Sequence, residues 1–164
     1  MDHKIFNVLF ICRGNAARSI IAEGLLTGMG KGQFRAFSAG AQPRGEVSPD
    51  AIKALADLFM PIEGYRSKSW DEFSGPNAPQ MDFVFTLCDQ TAGEACPVWP
   101  GGPLTAHWGV EDPLVEGATP QQIAWRSKLA AISLKRRIEL FLALPWQSID
   151  RSALATRLQE IGGV

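Results

Sequence analysis

Eight consecutive residues, Cys12-Arg13-Gly14-Asn15-Ala16-Ala17-Arg18-Ser19, combine a thiol, two guanidinium groups and a flexible turn directly after an apolar run at residues 5–11. Such a loop suits an anion. Its backbone N–H groups converge toward the start of the helix that follows, where the helix dipole adds partial positive charge. Arg18 offers a bidentate fork to two oxygens of a phosphate-like dianion. Gly14 permits backbone angles closed to other residues, and Asn15 tolerates the left-handed region while bonding the loop internally. The expected oxyanion-binding set is therefore Arg13, Gly14, Asn15, Ala16, Ala17, Arg18 and Ser19. The field that holds an oxyanion also favours a thiolate, so Cys12 is expected to be a nucleophile at neutral pH, with the Ser19 hydroxyl donating to its sulfur. The competing reading is a buried cysteine with an arginine nearby by chance. The strand-end position, the Gly-Asn turn and the adjacent serine all argue for chemistry instead.

Two further cysteines lie in Thr86-Leu87-Cys88-Asp89-Gln90-Thr91-Ala92-Gly93-Glu94-Ala95-Cys96-Pro97. Seven residues separate the sulfurs, too many for a Cys-x-x-Cys turn and about the length of a two-turn helical segment, so pairing requires that segment to deform. Three cysteines cannot make a closed disulfide framework. With two His in the chain, a structural zinc site would consume nearly every soft ligand, so no metal site is expected from ligand count. The carboxylates nearest a conceivable acid role are Glu111 and Asp112, adjacent in the sequence and followed by Pro113. His107 reads as a structural hydrogen-bonding group and Asp89 as a local cap.

The elements that must position these groups follow from patterning. A chain of 164 residues with 46% hydrophobic composition is expected to form one domain over 1–164 with a proper core. A formal charge of −1 shows no basic surplus for nucleic acid or an anionic membrane. The apolar stretches are too short to span a bilayer, and the first residues run into a strand-like segment without a signal-like run, so a cytoplasmic protein is expected. Residues 5–11 form an almost continuous apolar run, as in a central parallel strand covered on both faces. A helix over 19–29 ends at Gly28, Gly30 and Gly32, and a second strand covers 34–39. Ser48 caps a helix with Pro49 at its first position and Ala51, Ile52, Leu55, Leu58 and Phe59 along one side. A third strand covers 82–87, and the Gly- and Pro-rich stretch 93–103 reads as a surface loop. A fourth strand is expected near 105–108, a long helix from Pro120 to about 144, and a terminal helix over 149–161. This order is that of an open α/β fold, a parallel sheet of about four strands flanked by helices. Ligands bind such sheets at the carboxyl ends of the strands, where Cys12 and Cys88 both fall.

The Cys, five residues, Arg, Ser loop resembles that of the low-molecular-weight tyrosine phosphatase fold. Together with Cys88, the Cys96-Pro97 pair, His107-Trp108-Gly109 and Asp112-Pro113, the sequence resembles more specifically the thioredoxin-coupled arsenate reductases built on that fold, over residues 5 to 144. The resemblance implies a three-thiol relay. Cys12 attacks arsenic(V) held by the loop with Asp112 as the acid, Cys88 then pairs with Cys12, and Cys96 takes the disulfide to the surface. It further implies that thioredoxin, or glutathione with glutaredoxin, reduces the enzyme, and that there is no tightly bound cofactor. The Asp-Pro pairing favours Asp112 over Glu111.

Two loop positions depart from common members of that family. Arg13 replaces a small polar residue, and either strengthens anion binding or points to solvent. Ala17 stands where a second loop cysteine or serine often occurs. Some members bind potassium through an Asn, a Glu and a Ser; Asn15, Glu23 and Ser38 are the implied counterparts, with no residue for the remaining ligand, so potassium stays open. The alternative activity is hydrolysis of phosphotyrosine or a small phosphate ester by Cys12, Arg18 and Asp112 with the other thiols idle.

Overall fold

A computed structural model describes residues 4–87, 99 and 101–164. Four strands, β1 (Phe6–Cys12), β2 (Phe34–Gly40), β3 (Phe83–Thr86) and β4 (Leu104–His107), form an all-parallel sheet in the order β2-β1-β3-β4. The four α-helices among the described residues are α1 (Arg18–Met29), α2 (Pro49–Asp57), α3 (Pro120–Leu142) and α4 (Arg151–Gly162), with a short 3₁₀ turn at Trp70–Phe73 that patterning did not reveal. Expected and observed boundaries agree to within two residues for the strands and for α1, α3 and α4.

The apolar run of β1 divides by the two-residue period of a strand. Val8, Phe10 and Cys12 join the larger core with residues of all four helices, while Leu9 and Ile11 join a smaller core with Phe73, Val84 and Trp99. Both faces are covered, which is why no polar residue alternates through its second half. Because β1 sits between β2 and β3, the connection after β1 leaves toward one edge and that after β3 toward the other. The crevice between their carboxyl ends is the topological switch point, the position where open α/β sheets place ligands.

α2 corrects one expectation. It stops at Asp57, and Phe59 turns to φ 60° with its ring 95% exposed. The chain folds back on the Leu55 carbonyl, which accepts from the N–H groups of Leu58 (3.1 Å) and Met60 (2.9 Å). Met60 thereby packs on the core in place of Phe59. Ser48 is the N-cap residue, yet its side chain makes no capping hydrogen bond.

The end of β4 is pinned from two sides. Trp108 is fully buried, stacks on Phe85 with ring centroids 3.8 Å apart, and donates from Nε1 to the Leu158 carbonyl of α4 at 2.9 Å. Arg137 of α3 donates from Nη1 to the carbonyls of Trp108 (2.8 Å) and Gly109 (2.9 Å), and from Nη2 to that of Val164 (3.3 Å). Burial pushes this guanidinium below its ordinary value. Trp108→Phe keeps an aromatic face on Phe85 but removes the link to α4. We expect a loss of ~1–3 kcal/mol in urea denaturation, with faster amide exchange across α4.

Candidate active site

An oxyanion loop has a structural problem: turning N–H groups toward an anion turns carbonyls away from it, and those carbonyls need partners. Here the segment after β2 supplies them. The carbonyls of Arg13, Gly14 and Ala16 accept from the N–H groups of Gln42 (2.8 Å), Arg44 (2.9 Å) and Ser48 (2.9 Å). Ser67 Oγ adds a second donor to the Gly14 carbonyl at 3.2 Å. No N–H from Gly14 to Arg18 donates to a backbone carbonyl among the described residues. α1 begins at Arg18 without a side-chain N-cap, leaving its first amides uncommitted as well.

Backbone geometry at the loop separates the two residues credited with flexibility. Asn15 adopts φ 45°, the left-handed conformation expected of it. Gly14 does not have a positive φ; its missing side chain instead makes room for Arg44, whose Cγ and Nε would lie 3.1 Å from a Cβ there. Gly40, at the end of β2, is the second steric requirement. A Cβ at Gly40 would meet the Arg13 carbonyl oxygen at 2.7 Å and the Asn15 nitrogen at 2.9 Å, both backbone atoms unable to yield alone.

Beneath the loop runs a buried hydrogen-bond chain. The Lys68 N–H donates to Asn15 Oδ1 (2.8 Å), which sets the amide orientation; Asn15 Nδ2 then donates to Ser19 Oγ (2.7 Å). Ser19 Oγ, already accepting, has its own hydrogen to give to Cys12 Sγ at 3.0 Å. Asn15 and Ser19 are fully buried, so their side chains support the sulfur from below and do not line the cavity above it.

That cavity, of about 230 Å³, is lined by Cys12, Arg13, Gly14, Ala16, Ala17, Arg18, Gln42, Arg44, Asp112 and Leu114. Arg18 is almost wholly buried. Its Nη1 donates to the Val110 carbonyl (3.2 Å) and its Nη2 lies 3.5 Å from Asp112 Oδ2. Asp112 Oδ1 accepts from the Leu114 N–H at 2.9 Å. Glu111 is exposed and lines a different cavity, with Arg126 and Ser133, so the structure brings only Asp112 of this pair to the loop. Arg13 Nη2 donates to Gln42 Oε1 at 2.9 Å, which holds its guanidinium at the rim of the cavity. His107 Nδ1 lies 2.9 Å from Thr86 Oγ1, a cross-strand structural bond. Cys88, Asp89 and Cys96, and most of the 93–103 loop, lie outside the described residues.

The profile described as low molecular weight phosphotyrosine protein phosphatase matches residues 7–140. An arsenate reductase of Staphylococcus xylosus is 35% identical over 138 residues, covering 84% of this chain and all of that protein. The chain belongs to the arsenate reductase family built on the low-molecular-weight phosphatase fold. Among solved structures, an arsenate reductase in the phosphate binding state superimposes with a TM-score of 0.67 at 27% identity, covering 84% of this chain and 97% of that one. A thioredoxin-dependent arsenate reductase of Corynebacterium glutamicum gives 0.56 at 25% identity, over 86% of this chain and 65% of that one. The all-parallel sheet is thus the family's phosphatase-like sheet, as the sequence implied.

Sequence reasoning missed Gln42, Arg44, Lys68 and Arg137. Arg137 carried a signal: it falls three residues after Leu134 and four before Phe141, on the buried side of α3. The other three lie in loops, where no periodicity marks them. No helix among the described residues is long and apolar enough to cross a membrane.

The buried chain predicts the effect of Ser19→Ala. A hydrogen bond to a charged group contributes ~1.5–3 kcal/mol, so the alkylation rate of Cys12 at neutral pH should fall roughly tenfold or more. Mass spectrometry of the Cys12 peptide after timed exposure to iodoacetamide checks this. An unchanged rate would mean that Ser19 does not stabilise the reacting sulfur.

Proposed function

We propose that this chain reduces arsenate to arsenite through a relay of Cys12, Cys88 and Cys96, with Arg18 holding the oxyanion and Asp112 donating the proton. The observation that carries the reading is the single cavity shared by Cys12, Arg18 and Asp112 at the switch point of the sheet. The Cys12 thiolate attacks arsenic(V), and one oxygen departs as water with a proton from Asp112, leaving a sulfur–arsenic bond. The Cys88 thiolate then attacks Cys12 Sγ. The sulfur–arsenic bond breaks, its electron pair passes to arsenic, and arsenite leaves a Cys12–Cys88 disulfide. Cys96 next attacks Cys88 Sγ, releasing the Cys12 thiolate and forming a Cys88–Cys96 disulfide. An external dithiol restores both thiols. Thioredoxin is the favoured donor, since the Corynebacterium glutamicum neighbour is described as thioredoxin-dependent; glutathione with glutaredoxin is the other class.

Two features support the first thiol transfer. Ile11 and Leu87, the residues preceding Cys12 and Cys88 in sequence, are joined by a 2.8 Å hydrogen bond from the Leu87 N–H to the Ile11 carbonyl. The family match spans residues 7–140, a stretch that contains all three thiols. Phosphate-ester hydrolysis needs only the loop and Asp112, so weak hydrolysis of an aryl phosphate is compatible with the reading and does not test it.

Cys96→Ser tests it. With arsenate in excess and thioredoxin, its reductase and NADPH as the only reducing system, arsenite formation should stop after about one equivalent per enzyme, because the disulfide stays buried at Cys12. Sustained turnover at the wild-type rate would remove Cys96 from the mechanism.

A further inference from the structure

Of the residues implied as potassium ligands, Ser38 meets the Lys68 ammonium and links it to Glu23, while Asn15 is held by the backbone N–H of the same lysine. Lys68 lies on the segment that bridges to β2, where the Gly40 N–H donates to the Lys68 carbonyl at 2.9 Å. Its side chain turns inward and is only 9% exposed. Lys68 Nζ donates to the Arg66 carbonyl (2.9 Å) and to Ser38 Oγ (3.4 Å), and Ser38 Oγ donates to Glu23 Oε1 (2.5 Å). Asn15 Oδ1 is occupied by the Lys68 N–H. Burial drives the Glu23 carboxyl up, against the Ser38 hydrogen bond and then the charges of Lys68 and Arg66; burial drives the Lys68 amine down, against the charge of Glu23.

These donors do not fit an added alkali metal ion. Potassium takes its ligands from oxygen lone pairs, and here the oxygens of Ser38, Arg66 and Asn15 already receive hydrogens from Lys68. An ion among them would also face a fixed ammonium group at contact range, with the repulsion little screened by solvent. We infer that the Lys68 ammonium is a built-in cation that takes the part of a bound metal ion, neutralising Glu23 and bracing the oxyanion loop through Asn15. Lys68 is thus a positioning residue. Its side chain is anchored below α1 and β2, and its backbone N–H fixes the amide that orients Ser19 toward Cys12.

This goes beyond the relay and does not depend on it, since loop integrity and cation binding are read without arsenate. The experiment compares wild type, Lys68→Met and Lys68→Met/Glu23→Gln in potassium chloride and in choline chloride at equal ionic strength, by thermal melting and by the alkylation rate of Cys12. Wild type should give the same values in both salts. Lys68→Met should melt lower and alkylate about tenfold more slowly in choline, and potassium should restore much of both, because an ion that binds only the folded form stabilises it by linkage. The double variant, lacking the carboxylate, should not respond to potassium. Potassium-dependent melting of the wild type would overturn the inference, as would a Lys68→Met protein that matches wild type in choline. A potassium response surviving in the double variant would overturn the assignment of Glu23 as the group the cation answers. If Lys68→Met folds in neither salt while the double variant folds, the same conclusion holds, because the uncompensated Glu23 would be the cause.

Discussion

Everything in the active site depends on where the carbonyls of one loop point. Backbone amides aimed at an anion leave their carbonyl groups facing protein, and a buried carbonyl without a donor costs free energy comparable to a lost hydrogen bond. The N–H groups of Gln42, Arg44 and Ser48 discharge that obligation for the carbonyls of Arg13, Gly14 and Ala16. The stretch after β2 is therefore as much a part of the loop as residues 12–19. This also explains Gly40: β2 must end within backbone contact of the loop for the following residues to reach it, and a side chain there would collide with Arg13 and Asn15.

Asp112, the proposed acid, is positioned by a second system. Asp112 follows β4, and the chain between them is fixed at Trp108 and Gly109 by Arg137 from α3 and by the Trp108 link to α4. Arg18 joins the two systems, through the Val110 carbonyl and Asp112. An arginine suits this junction because its planar fork has donors to spare for the protein and for an anion at once, which a lysine at the same place would lack. Among the described residues the exposed Glu111 has no comparable anchor on the loop side, so adjacency in sequence gave the two carboxylates unequal access.

Much of this was legible from residue order, for identifiable reasons. The strand, loop and helix around Cys12 could be read because a double-sided apolar run, a turn and a helix start are all local patterns. The open parallel sheet of about four strands, with its ligand site at the carboxyl ends, followed from alternating strands and helices; the strand order did not. The last residues of α2 were misread because Leu58 and Phe59 continue the apolar spacing of Leu55, and only the reversal at Phe59, a backbone event, ends the helix. Gly14 was credited with an unusual φ when its role is to admit Arg44. The error at Gly14 has a plain cause: the deciding contact comes from Arg44, tens of positions away, and spacing within one segment carries no information about it.

Lys68 is the clearest case, and it bears on how such a loop can be stabilised. Glu23 is half-buried beside the loop, and a carboxylate there needs a cation. A metal ion satisfies it at the expense of occupancy that varies with concentration. A tethered ammonium is present at constant stoichiometry, but its stem must be ordered and its charge desolvated whether or not substrate is bound. The lysine gains something in return that a free ion cannot provide: the same residue donates its backbone N–H to Asn15. Charge neutralisation at Glu23 and orientation of the Asn15–Ser19–Cys12 chain are thus joined in one residue, so the support of the nucleophile no longer depends on the ionic composition of its surroundings.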